Sequence, residues 1–340
     1  MIKAPICADY TMDKKLLSFV IPCYRSELTI KSVYDEIIAA MKQKEEEYDY
    51  EIIAVNDCSP DNVLSVLREI AAEDPKFIVI DLAKNFGKHG AMMAGYSCVH
   101  GDYVVNLDDD CQCPVYDLWK LMKPIIEDGY DCATAKYEKK KEALWKRFGS
   151  AVNSKMITYL LGQPKEIEFD NFSVFKRFVC DEIMNYQSPF PYVAGLILRT
   201  THRVAIVPMQ ERERGDGRAT GFTFKKSLSL LFNGLTSFSV KPLRIATVAG
   251  ALFALFGFIF GIYIIIKKLV YPGVPLGYSS MMSIQLFSSG IIMLILGLIG
   301  EYVVRIYICV GKAPQFVIWE TINLTDSSDS ALTKPKQFEE

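Results

Sequence analysis

Ile245 to Ile266 reads IATVAGALFALFGFIFGIYIII, 22 residues without a charge. As a helix it is about 33 Å long, enough to cross the apolar core of a bilayer. A second uncharged span runs from about Tyr278 to Gly300 and ends at Glu301. The connection between them, KKLVYPGVPLGY, is too short for a domain, so the spans read as a transmembrane hairpin whose two ends face the same side. Lys225, Lys226, Lys241 and Arg244 precede the hairpin, and Arg305 and Lys312 follow it, against only Lys267 and Lys268 in the turn. That balance puts the rest of the chain in the cytoplasm, as part of a multi-pass protein of the inner (cytoplasmic) membrane. The hydrophobic share of 50 % is therefore concentrated in one region, and the remainder must build its own core.

That remainder is patterned as an α/β domain. The apolar runs LLSFVIPCY, YEIIAVND, FIVIDLA, DYVVNLDDD and YDCATAKY alternate with amphipathic segments at Glu27–Lys44, Asp61–Glu73, Gly87–His100 and Pro114–Glu127. Near-continuous β-branched runs interleaved with helices predict a mostly parallel sheet covered on both faces. Ligands of such sheets bind beyond the carboxyl ends of the strands. Four polar clusters fall at these ends: Pro22-Cys23-Tyr24, Asn56-Asp57, Lys84-Asn85 and Asp108 to Asp110. Further on, a helical stretch to Leu161 is expected, with short strands near Phe169–Lys176 and Ala194–Arg203. An amphipathic helix suited to a membrane interface is expected over Phe224–Val240.

The expected organisation is an N-terminal extension (1–15), a catalytic domain (16–220), an interfacial helix region (221–243) and a hairpin (244–310, with spans at about 245–266 and 278–300). A cytoplasmic tail (311–340) completes the chain and is disordered at its end. The net charge of −2 gives no bulk reason to expect a nucleic-acid partner. The nine cysteines and a first segment without an apolar leader read as reduced thiols in a cytosolic domain. Homo-oligomerisation is left open.

No GxGxxG follows the first strand and no GxxxxGK[ST] occurs, so two common nucleotide fingerprints are absent. Acids and amides stand in their place. Asp57 ends the second strand, where a carboxylate can accept hydrogen bonds from a base or ribose, while Ser59 and Asp61 suit a turn and helix cap. In Asp108-Asp109-Asp110, strand alternation would point Asp108 and Asp110 together and turn Asp109 away. Two such carboxylates suit Mg2+ or Mn2+, which is typically held by one or two carboxylates together with substrate phosphates.

IPCYRSE, VNDCSPDN, KNFGKHGAMMAG and NLDDDCQCP, in that order and spacing, resemble the family 2 glycosyltransferases with a GT-A fold. The basic segment RERGDGRATGFTFKK, the phrase SFSVKPLRIA and the two spans narrow the likeness to the polyprenyl-phosphate glycosyltransferases, the dolichyl-phosphate-mannose-synthase-like branch. The resemblance implies a Rossmann-like GT-A sheet followed by an interfacial helix and the membrane hairpin. It implies that Pro22, Tyr24, Glu27 and Asp57 hold the nucleotide of a nucleoside diphosphate sugar. Lys84, Asn85 and Gly87 would lie by the nucleotide and sugar. Asp108 and Asp110 would carry the metal on the diphosphate, with Gln112 close by, and Arg212 and Arg214 would meet the acceptor phosphate.

The resemblance has one departure at the chemistry. Many relatives place an aspartate before the Phe of a "DF" motif as catalytic base, whereas this chain has Asn171 before Phe172 and Asp170 one residue earlier. Either Asp170 serves from a shifted position or no strong base is used. The Arg-Gly segment also departs, with Arg214, Gly217, Thr220 and Phe222 spaced by one extra residue. The function implied is inverting, metal-dependent transfer of a sugar, UDP-linked, to polyprenyl (undecaprenyl) phosphate at the cytoplasmic membrane face for cell-envelope glycan synthesis. Two rivals stand beside it: a processive polysaccharide synthase, for which a QxxRW-type motif is missing, and a silent membrane scaffold, against which Asp57, Asp108 and Asp110 argue.

Overall fold

A computed structural model describes residues 14–137, 169–186, 188–189, 191–210, 212, 241–270, 277–310 and 314–324. The expected interfacial helix over Phe224–Val240, the helical stretch to Leu161 and Arg214 lie outside the described residues.

Strand β1 (Lys15–Cys23) is followed by helix α1 (Ile30–Lys42), β2 (Tyr48–Asn56), α2 (Val63–Glu73), β3 (Phe77–Leu82), α3 (Lys88–Tyr96) and β4 (Tyr103–Asn106). After a 3-10 turn at Val115–Asp117 come α4 (Leu118–Glu127), β5 (Cys132–Tyr137), β6 (Ser173–Lys176), α5 (Arg177–Met184), α6 (Val193–Thr200) and β7 (Val204–Met209). Two long helices, α7 (Lys241–Val270) and α8 (Tyr278–Val310), precede a last strand, β8 (Ile318–Ile322). The eight strands form one sheet in the order β7-β5-β6-β4-β1-β2-β3-β8. β1, β2, β3 and β4 pair in parallel, as the uninterrupted apolar runs predict, while β6 and β8 run antiparallel to their neighbours.

The strand period of two divides the core between the faces. Leu17, Phe19, Ile21, Ile52 and Ala54 pack with α1, α2 and α4 on one side, and Val20, Ile53 and Val55 with α3, α5 and α6 on the other. Pro22 sits in β1 without disrupting it. Its ring nitrogen faces β4 beyond the last paired residues, Val20 and Asn106, so no ladder bond is lost.

One strand expectation is corrected: Ala194–Arg203 contributes helix α6, and the strand follows at β7. Val193, Leu196 and Ile197 form a buried i, i+3, i+4 stripe against α5, so the apolar residues serve a helical face.

The chain divides into two compact units, the sheet domain and the helix pair, and residues after Pro314 belong to the first. Within the stretch read as the tail (311–340), β8 pairs with β3 and Asn323 is anchored. Its side-chain amide donates to the carbonyls of Ala71, Phe77 and Asp74 at 2.7, 3.0 and 3.3 Å. α7 and α8 are continuous helices over the two uncharged spans, with exposed apolar side chains such as Phe256, Phe258, Met293 and Tyr307. Among the described residues, Phe287–Val304 is long and apolar enough to cross a membrane.

Candidate active site

The loops at the carboxyl ends of β1 to β4 are laced together by side chains. Asp57 directly follows β2 and is buried. Its two carboxylate oxygens accept the backbone N–H groups of Phe86 (2.7 Å) and Gly87 (2.9 Å), and its carbonyl accepts the Asn85 side-chain amide (3.2 Å). Burial raises the Asp57 pKa, and the two amides oppose that rise by favouring the ionised form. Asp57 thereby fixes the loop that starts α3. Gly87 adopts φ +78°, a conformation that glycine takes at least cost, and turns the chain into the helix.

Lys88, the first residue of α3, reaches across to the next strand end and forms an ion pair with Asp108 Oδ1. The second oxygen of Asp108 accepts the side-chain amide of Asn171 at 2.7 Å. Asp110 accepts the Gln112 backbone N–H at 3.1 Å. β4 ends at Asn106, so the pleat does not reach the three acids, and their loop sets their directions instead. Asp109 turns toward the β1 loop, where it accepts the Tyr24 N–H at 2.9 Å, while its carbonyl accepts the Thr29 hydroxyl at 2.5 Å. Burial pushes Asp109 up to about 6, with the charges of Asp108 and Asp110 adding to the rise and the Tyr24 N–H opposing it.

The other expected residues frame this centre. Tyr24 is 45 % exposed and carries the Arg25 guanidinium 5.6 Å from its ring centroid. Glu27 is tied to the start of α2: its N–H reaches Asp61 at 3.1 Å and its carboxylate accepts the Asn62 N–H at 3.3 Å. Lys84 is exposed and stands 5.0 Å from the Phe86 ring centroid. Arg212 docks its N–H on the Gln112 carbonyl (3.3 Å), and both Glu36 carboxylate oxygens accept from its Nη1 at 2.7 Å. The guanidinium thus has a protein partner at the rim of the site. The Asp170 carboxylate accepts the neighbouring Asn171 N–H at 2.6 Å. The buried Tyr137 hydroxyl is raised first by burial and then by Cys113, Asp170 and Asp108, so Asp170 and Asp108 share a neighbour.

Three participants escape the sequence reading. Lys88 stands in the KNFGKHGA segment, beside the residues assigned there. Asn171 appears in the sequence only as a missing acid, yet it is a donor to Asp108. His89 packs edge-on against Tyr192 (5.4 Å) with its Nδ1 buried and unpaired, and burial lowers it to about 4. A fold-dependent contact marks each of them, and no spacing rule does.

Among the described residues, no group of three or more His, Cys, Asp or Glu side chains closes on a cation. Asp108 and Asp110 are hard oxygen donors of the kind that hold Mg2+ or Mn2+ together with substrate phosphates.

A family model described as glycosyl transferase family 2 matches residues 18–184, and one described as the GtrB C-terminal hairpin matches 241–306. An uncharacterized glycosyltransferase of Bacillus subtilis (strain 168), YkcC, is 33 % identical over 311 residues, 90 % of this chain and 94 % of that protein. The undecaprenyl-phosphate 4-deoxy-4-formamido-L-arabinose transferase of Proteus mirabilis (strain HI4320) is 30 % identical over 314 residues, 91 % of this chain and 94 % of that one. With the sheet order and the strand-end site described above, these matches make the chain a glycosyltransferase that belongs to family 2, in the branch that carries the GtrB-type C-terminal hairpin.

Proposed function

We propose that the protein moves a sugar from a nucleoside diphosphate donor, UDP-linked, to undecaprenyl phosphate or a like polyprenyl phosphate at the cytoplasmic face of the membrane. The transfer inverts the anomeric centre and uses Mg2+ or Mn2+. The observation that carries this reading is Asp108, set at the carboxyl end of β4 and facing Lys88 and Asn171. Through Lys88 it is tied to the loop that Asp57 holds. The acceptor class is supported by the name of the Proteus relative and by the matched hairpin, whose basic flanks favour a cytoplasmic catalytic domain.

Asp108 and Asp110 would hold the divalent ion, which when bound supplies positive charge to the departing diphosphate. The protein's own task is to place the two substrates in line. An acceptor phosphate oxygen forms the bond to the anomeric carbon while the bond from that carbon to the donor diphosphate breaks. The nucleoside diphosphate leaves with the electron pair. A phosphate monoester has its second pKa at about 6 and is largely dianionic at neutral pH, so the attacking oxygen carries no proton that must be removed. Asn171 in place of an acid agrees with a transfer that needs no strong enzymic base.

The test is to incubate membranes containing the protein with a panel of UDP- and GDP-sugars plus undecaprenyl phosphate. A lipid-linked monosaccharide that disappears with EDTA is expected. Free sugar alone would overturn the reading, and long polymer would replace it with a processive synthase.

A further inference from the structure

We propose that Lys88 is a charge stand-in for the metal. In the donor-free protein its ammonium neutralises Asp108, and when metal and nucleoside diphosphate arrive together it transfers to the diphosphate oxygens. This inference rests on the glycosyltransferase reading above and adds a positioning role to a residue at that site.

Three observations carry it. Lys88 is the first residue of α3, where the helix dipole disfavours a cation, so the fold alone gives no reason for a lysine there. Its ammonium reaches instead across two strand-end loops to Asp108. Asp108 then has one oxygen on Lys88 and the other on Asn171, which satisfies a carboxylate without a metal. The pair is also only partly shielded from solvent, with side-chain exposures of 36 % for Lys88 and 20 % for Asp108. It can therefore open without breaking either hydrophobic core, and neither residue belongs to those cores.

A divalent ion on Asp108 and the Lys88 ammonium in its present place would be like charges in contact, so one must leave. Metal alone brings Lys88 no new anion. Metal with a diphosphate does, because the diphosphate brings negative oxygens to the same site. Lys88 therefore makes the two bind cooperatively, and protects the acid pair from ions that arrive without substrate. A lysine suits such an exchange, since it is a point charge on a flexible stem with freely rotating donors.

The experiment is a calorimetric titration of Mn2+ into the detergent-solubilised full-length protein, without and with saturating UDP, for wild type, Lys88→Met and Lys88→Arg. Wild type should bind Mn2+ at least ~5-fold more tightly with UDP present, within the usual range of such couplings. Lys88→Met should bind Mn2+ alone more tightly than wild type, and the UDP effect should shrink toward none. Lys88→Arg should keep most of the coupling. If Lys88→Met leaves Mn2+ affinity without UDP unchanged or weaker, or leaves the coupling intact, the inference fails. Its failure is separable from failure of the functional reading. The latter is tested by wild type alone, in its sugar transfer and in its binding of Mn2+ with UDP. A melting curve for each variant reports folding.

Discussion

Asn171 donates its side-chain amide to Asp108 Oδ2 at 2.7 Å, from the position before Phe172 where the family resemblance leads one to expect an acid. An amide there supports the carboxylate that an acid would repel. The contact bears on Asp108, read from the sequence as a metal ligand, and on Asp170, read as a base from a shifted position or as no base.

Asp108→Asn should lower kcat for sugar transfer by at least ~100-fold, because the leaving diphosphate loses its charge stabilisation. Asp170→Asn should cost less than ~10-fold, below the ~100-fold or more that removal of a true general base produces. The wild-type rate should climb with pH and level off above about 6, following the acceptor phosphate. A ~100-fold loss in Asp170→Asn with a shifted pH limb would assign Asp170 as the base.

Asp57→Ala should destabilise the protein and damage donor binding together. The change leaves the part-buried N–H groups of Phe86 and Gly87 without their carboxylate acceptor, at a cost of about 1–3 kcal/mol. The loop carrying Lys88 would lose its anchor, so the donor KM should rise more than kcat falls. Thermal melting and steady-state kinetics on one preparation check both effects.

His89 should make the domain acid-sensitive. Its folded pKa, lowered to about 4 by burial, lies below the usual 6.5, so the neutral ring is the one the fold accepts. The stability from this residue is whole above pH 6.5 and is lost as pH falls toward 4, on the order of 2–3 kcal/mol. His89→Phe should flatten that part of the stability curve relative to wild type, measured by denaturant midpoints between pH 7 and 4.

Asn323 should prove worth more than a residue after the last strand ordinarily is. It combines three hydrogen bonds to the end of α2 and the start of β3 with a left-handed backbone at φ +62°. Asn323→Gly removes the bonds alone, whereas Asn323→Ala also strains the backbone by roughly 1–2 kcal/mol. The alanine variant should therefore melt lower than the glycine variant, and both below wild type.

The apolar runs at β1, β2, β3 and β4 and the uncharged spans at 245–266 and 278–300 were legible from residue order. Burial on both faces of a parallel sheet demands near-continuous apolar sequence, and long uncharged runs without Pro or Gly clusters continue as unbroken helices. The placing of Asp57 and Asp108 just past the ends of β2 and β4 was legible too, since each follows its apolar run. Tertiary structure decided what each acid does. Past Asn106 the pleat no longer sets side-chain direction, so the loop turned Asp109 to Tyr24 and left Asp108 to Lys88 and Asn171. It also decided that Ile318–Ile322 is a strand, because five residues with an exposed Trp319 and Glu320 acquire a ladder only when β3 offers an open edge. Local pattern records which faces are buried, while contacts between distant loops exist only once the sheet has brought their ends together.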